Sequence, residues 1–361
     1  MPHPITRRAL LKGAAAAGAA AFVPAMAAPP QPLAPPVETG RWVRPAEGDA
    51  AQPVWGIRGG IRVGLWPTPG PRGLIRVYAP YLGHAPLRVI NFVAVEPVVG
   101  RWRCLSELEQ SEFDKARGKA MWTGNAMEPD PQPRKPWQPA RGSVTKIGGV
   151  EALTLFVFIE RFLNGARPIV QVVLRGDRPH EATFRIFAAK GSRAMGSCVL
   201  TATMGNYARL RRLWLKGKVV ESTKLWPMPR LNRHGFVSHS RWGLRRMLVV
   251  DGQAVVAATP NERDPGKAVY APEVHRFWRY GGKLATQYWR APATKDLAVQ
   301  VNGRTTYWAS QAPIPGGIAY ENFELVAPFA AGQSFTFGVT PEPPEALGFP
   351  RAPQRPATDG Q

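Results

Sequence analysis

The sequence predicts a mainly β protein, an antiparallel β-sandwich or jelly roll with one short helix. Three observations lead there. Short runs rich in β-branched and aromatic residues recur along the chain, each bounded by Gly or Pro. Asp251-Gly252 and Asn302-Gly303 each lie between two apolar runs, the pattern of a hairpin turn whose residues need positive φ. Helical spacing is convincing only in Leu105 to Lys115, where Ser106 and Glu109 are placed as a capping box. The 38 prolines and 36 glycines suit a fold with many turns. The chain has no internal repeat of the kind that would point to a propeller or a β-helix.

Taken from the start, Thr6-Arg7-Arg8-Ala9-Leu10-Leu11-Lys12 resembles a twin-arginine translocation signal. An alanine-rich apolar stretch and the small-x-small site Ala25-Met26-Ala27 follow it. Residues 1–27 are therefore expected to be a leader. The resemblance implies export in the folded state to a periplasmic or extracellular location. The apolar stretch is too short to span a bilayer, and no later run approaches that length, so the mature chain is expected to lack a transmembrane segment. Residues 28–55 are rich in Pro and Ala and read as a linker. The sandwich is expected over 56–345, and the Pro-rich residues 346–361 read as a flexible tail.

Within the sandwich, strands are predicted at Ile61–Trp66, Leu74–Tyr78, Arg88–Val95, Glu151–Phe162, Pro168–Leu174 and Ala182–Ala188. Others follow at Ser197–Met204, Leu213–Glu221, Lys283–Arg290, Ile318–Ala327 and Ser334–Thr340. The two hairpins fall at Met247–Ala257 and Leu297–Trp308.

The charge is strongly basic, 47 Lys and Arg against 25 Asp and Glu, for a net +22. Such a field draws anions. For an exported protein the available polyanions are acidic polysaccharides, lipopolysaccharide and anionic lipid, which argues against nucleic acid as the partner. A solvated basic surface is the plainer account of the same charge. The two cysteines, Cys104 and Cys198, permit at most one disulfide. The sequence carries no phosphate-cradling or dinucleotide glycine loop, no nucleophile elbow, no zinc-binding His-Glu-x-x-His and no EF-hand loop. Kinases, nucleotide-dependent oxidoreductases, α/β-hydrolases and zincins are disfavoured accordingly.

Chemistry-bearing residues concentrate between 233 and 290. A lyase acting on an acidic sugar needs a cation for the carboxylate, a base and an acid for the leaving oxygen. His239, Tyr288 and Arg290 (or Arg241) could supply them. A glycoside hydrolase needs two carboxylates instead, from Glu262, Glu273, Glu321 and Glu324. Glu262, just past a hairpin strand, is the favoured one, whereas strand alternation sets Glu321 and Glu324 on opposite faces. Arg241, Trp242, Trp278, Lys283, Gln287 and Trp289 would complete a groove that stacks and reads sugar rings. In sandwiches such aromatics more often fill the core. His234, His239 and His275 leave a metal role open, and a structural calcium between loops is compatible with the sequence, although nothing in it requires a cofactor. The basic clusters Arg209–Lys218 and Arg241–Arg246 fit either an anionic polymer or a solvated strand edge.

Gly316-Gly-Ile-Ala-Tyr-Glu-Asn-Phe-Glu-Leu325 is similar to a closing strand of lectin-like jelly rolls. That resemblance implies a concanavalin-like sandwich and no particular activity. The functional expectation is a carbohydrate-active protein that cleaves a polysaccharide, by elimination or hydrolysis, leaning to acidic glycans. The alternatives are a non-catalytic envelope protein that binds an anionic polymer and a cofactor-bearing periplasmic oxidoreductase.

Overall fold

The computed structural model describes residues 32–48, 50–261, 270–274, 279–308 and 310–351. Residues 1–27, read from the sequence as a leader, and Glu262, His275 and Trp278 lie outside them. In chain order the first strands are β1 (Val37–Thr39), β2 (Trp42–Arg44), β3 (Val54–Ile57), β4 (Arg62–Gly64), β5 (Leu74–Tyr78), β6 (Val89–Val99) and β7 (Trp102–Arg103). Next come β8 (Met121–Gly124), β9 (Ser143–Ile147), β10 (Val150–Ile159), β11 (Pro168–Arg175), β12 (Glu181–Ala188) and β13 (Ser197–Thr203). Then follow β14 (Leu210–Leu215), β15 (Lys218–Glu221), β16 (Ser240–Gly243), β17 (Leu248–Val250) and β18 (Gln253–Pro260). The last are β19 (Thr286–Pro292), β20 (Ala298–Arg304), β21 (Ala319–Val326) and β22 (Gln333–Thr340).

These strands form two antiparallel sheets. The first runs β1-β2-β3-β4-β5-β6-β13-β21-β20-β16, with β7 paired to β6. The second runs β15-β14-β18-β19-β22-β12-β11-β10-β8, with β17 on β18 and β9 on β10. Alternate residues of each sheet point into one shared core. Val93 and Val95, Leu200 and Phe323 come from the first sheet, and Leu155, Phe184, Trp289 and Phe337 from the second. The fold is the β-sandwich expected from the sequence, and among the described residues no helix is long and apolar enough to cross a membrane.

Several local expectations change. The stretch 28–55 supplies three strands of the first sheet, and Trp42 and Trp55 within it are core residues. At the other end Phe349 is buried against Trp214, so the chain stays packed into the segment read as a tail. The segment Leu105–Lys115 is a series of turns rather than a helix. Ser106 does not cap. Its hydroxyl accepts from the Val95 N–H (3.0 Å) and donates to the Gly73 carbonyl (2.5 Å), pinning the segment to the first sheet. The α-helix among the described residues is Ser222–Leu225.

The two hairpin signals diverge. Asp251-Gly252 is the turn between β17 and β18, with φ of 49° and 72°. Asn302-Gly303 lies inside β20, where the register with β21 breaks. Glycine is required there for close approach, because a Cβ would sit 2.6 Å from the Ala319 carbonyl. Cys104 and Cys198 are both buried as free thiols.

Candidate functional site

The outer face of the first sheet, away from the shared core, carries buried polar side chains beside a smaller apolar cluster that includes Leu74, Phe92, Ala94 and Ala319. Antiparallel register lines up one cross-strand row on it. Ala94 on β6 faces Thr201 on β13, Thr201 faces Glu324 on β21, Glu324 faces Gln300 on β20, and Gln300 faces Arg241 on β16. Glu96 lies two residues along β6 from Ala94, on the same face. From β7, Arg103 reaches over the row and donates to both Glu96 and Glu324.

Glu324 is the hub. It is fully buried and accepts hydrogen bonds from Thr201 Oγ1 (2.8 Å) and Gln300 Nε2 (2.9 Å). His239, just before β16, places Nε2 3.0 Å from Glu324 Oε1, with the Asn302 amide 3.3 Å away. Burial alone would raise the Glu324 carboxyl. Arg103, followed by the hydrogen bond and charge of His239 and by Thr201, outweighs burial and holds it down at about 2. In Glu96 burial dominates and raises the carboxyl, with Arg103 opposing and the Glu324 charge adding. A carboxylate can only accept, so Glu324 fixes the imidazole with Nε2–H towards it. The His239 side chain is 30% exposed while its partner is sealed. Nδ1 is the ring nitrogen left outside this hydrogen bond. A base oriented by a buried acid is the arrangement that general-base catalysis needs.

A bulge brings Glu321 to the same face. Tyr320 and Phe323 both point into the shared core, and the broken register between them undoes the simple alternation expected from the sequence. Glu321 is buried and its Oε2 has no hydrogen-bond partner among the described residues. Burial, partly countered by Arg304, raises its carboxyl to about 8 from an ordinary 4.5. Because the folded state holds this proton more tightly, its stabilising contribution is complete below about pH 4.5 and lost as pH climbs through about 8. Glu321→Gln should therefore unfold with little dependence on pH from this site. Above about pH 8 it should be more stable than the parent by roughly 2–4 kcal/mol. Urea midpoints at pH 5 and pH 9 check this, and equal midpoints for the two proteins at pH 9 would refute it.

The remaining predicted residues distribute differently. Tyr288 and Arg290 do converge, but on the outer face of the second sheet, where both donate to Glu181 Oε1 (2.7 Å from the Tyr288 hydroxyl). Burial, then the charge and hydrogen bond of Glu181, push the Tyr288 phenol up. Both sheets separate this pair from His239, so the three do not share a site. Gln287 and Trp289 are core residues. Gln287 Oε1 accepts from Asn91 Nδ2 (2.6 Å), and Trp289 Nε1 donates to the Phe323 carbonyl (2.9 Å), each bond linking the two sheets. Trp242 packs against the core from β16, while Arg241 is exposed on the His239 face and Lys283 is exposed in the approach to β19. Glu273 is exposed in a turn. Glu262, Trp278 and His275 fall outside the described residues. Of the first basic cluster, Arg209 and Arg211 are buried rather than solvated, Arg209 5.1 Å from the Tyr270 ring centre and Arg211 bonded to Asn261. Among the described residues no group of three His, Cys, Asp or Glu side chains is placed to hold a metal ion.

Sequence reasoning missed Glu96, Arg103 and Gln300. The available signal was a charged residue inside a mostly apolar and buried strand, as at Glu96 in Val89–Val99 and Glu324 in Ala319–Val326.

No family model and no curated protein matches the chain. Among solved structures it is similar to a GH36 alpha-galactosidase from Geobacillus stearothermophilus, solved in complex with raffinose. The identity is 10% and the TM-score 0.30, over 83% of this chain and 40% of that one. The chain thus spans well under half of that protein.

Proposed function

We propose that this is an exported, carbohydrate-active protein that cleaves an acidic polysaccharide by elimination, with His239 carrying the proton. The supporting observation is the 3.0 Å hydrogen bond between the partly exposed His239 and the fully buried, ionised Glu324. Arg241 stands on the same face, two residues further along the chain, and is exposed to meet a substrate carboxylate. The strongly basic charge of the chain favours such a substrate.

In this reading His239 Nδ1 takes the proton from the carbon next to the uronate carboxylate. The electrons of that C–H bond form a carbon–carbon double bond, and the glycosidic carbon–oxygen bond on the adjacent carbon breaks. The imidazolium returns its proton to the leaving oxygen, so histidine ends neutral. Glu324 stabilises the imidazolium and Arg241 offsets the substrate charge as it spreads into the carboxylate.

The test is a panel of uronate-rich, sulfated and neutral polysaccharides. Ultraviolet absorbance of the unsaturated product and new reducing ends are read together. Both signals should appear on acidic chains, and His239→Ala should lower the rate by about 10²–10⁴-fold without loss of fold. Reducing ends alone would replace elimination with hydrolysis. Neither signal on any chain would sink the proposal in favour of a binding protein.

A further inference from the structure

A second feature lies apart from the His239 row. A cleft of about 430 Å³ opens between the loop leading into β5 and the segment around β8, within the range of small-molecule sites. Trp66 and Trp137 meet edge to face across it, ring centres 6.5 Å apart, and Phe113 meets Trp122 in the same way at 6.3 Å. One wall is rigidly held. The fully buried Arg76 donates to the carbonyls of Pro69, Gly70, Pro71 and Leu74, so a single guanidinium fixes the loop that presents Trp66 and Arg72. Arg72 lies 5.2 Å from the Trp66 ring centre and pairs with Asp114.

Two groups at this cleft are left with unmet capacity. The first is Trp122, 3% exposed, whose indole N–H is buried without a hydrogen-bond partner among the described residues. A buried donor of this kind is costly unless an acceptor arrives. The second is Lys135. The other basic lining residues have acidic partners, Arg134 with Glu128 at 2.8 Å and Lys119 with Glu109 at 3.3 Å. Lys135 is exposed and has no acidic partner among the described residues. Aromatic walls, an orphan donor and an uncommitted ammonium together ask for a ligand with an apolar ring face, acceptor oxygens and a negative charge.

We infer that this cleft binds one acidic sugar unit of a polysaccharide, in a site separate from His239. The sugar ring lies against Trp137, its oxygens accept from the Trp122 indole, and its carboxylate or sulfate meets Lys135. Binding here does not depend on the elimination chemistry, so the two readings fail separately.

The experiment titrates the full chain with tetragalacturonate and with maltotetraose, following tryptophan fluorescence and calorimetry. Tetragalacturonate should bind and maltotetraose should bind at least about tenfold more weakly. Trp137→Ala and Lys135→Ala, both in a surface loop, should each weaken tetragalacturonate binding by about tenfold or more. Far-ultraviolet circular dichroism should be unchanged in both variants. The loss of binding on Trp137→Ala and Lys135→Ala should persist in a His239→Ala background, where cleavage is lost. Absence of binding to the parent, equal affinity for the neutral oligomer, or unchanged affinity in Trp137→Ala and Lys135→Ala together would each overturn the site.

Discussion

Glu324→Ala is expected to lower stability at pH 7 by about 3–5 kcal/mol and to abolish any activity that depends on His239. The fully buried carboxylate joins Arg103, Thr201, Gln300 and His239. Truncation removes the acceptor for all four at once. Arg103 would keep only Glu96 as an acidic partner, and a largely buried cation short of a partner is the expensive case. Glu324→Gln separates the two roles. It keeps the size and one acceptor oxygen but not the charge, so it should fold better than the alanine variant and still leave His239 poorly oriented. Urea unfolding of the three proteins, read beside the rate on the most responsive polysaccharide, checks both halves. The acid limb offers a further sign. A carboxyl held at about 2 contributes stability above its ordinary 4.5 and loses it as pH falls towards about 2, so the parent should weaken there and Glu324→Gln should lack that part of the decline. An alanine variant as stable as the parent would mean that the row is not a structural unit.

Trp289→Ala should cost about 3–5 kcal/mol through the cavity it leaves. The indole is fully buried, with ring centres 4.9 Å from Phe337 and 6.3 Å from Phe184, and its N–H is spent on the Phe323 carbonyl of the opposite sheet. Truncation therefore opens a void and strands an acceptor together. Carbohydrate affinity of the folded fraction should be unchanged. A stable Trp289→Ala protein with weakened glycan binding would restore the sugar-platform reading that the sequence first suggested. Denaturant midpoints and oligosaccharide titrations on the same preparation distinguish the two.

Where burial pattern and turn chemistry agreed, the sequence was a good guide. Leu74–Tyr78 is a strand with the predicted bounds, and Asp251-Gly252 turns as its dihedral preferences require. Asn302-Gly303 carried the same local signal and meant something else. Its glycine answers to a carbonyl on the neighbouring strand, a constraint that exists only after the sheet has formed. Ser106 and Glu109 had capping spacing, yet the Ser106 hydroxyl was claimed by Val95 and Gly73 across the fold. Proline and alanine made 28–55 look unstructured, while Trp42 and Trp55 found a core that no local pattern announces. The site was half legible. Alternation shows which residues of one strand share a face, but not which sheet the strand joins. His239 and Tyr288 therefore looked like partners although β16 and β19 belong to different sheets. The bulge in β21 hid the converse case, Glu321 and Glu324 on one face.

The two sealed thiols bear on the order of events in the life of the molecule. Cys104 and Cys198 are packed among apolar side chains, and burial pushes both thiols up, away from the reactive thiolate. Nothing in the sandwich waits for an oxidant. A chain of this design can finish its tertiary structure in a reducing compartment without forming a disulfide. Reductant added after purification should leave its melting curve where it was.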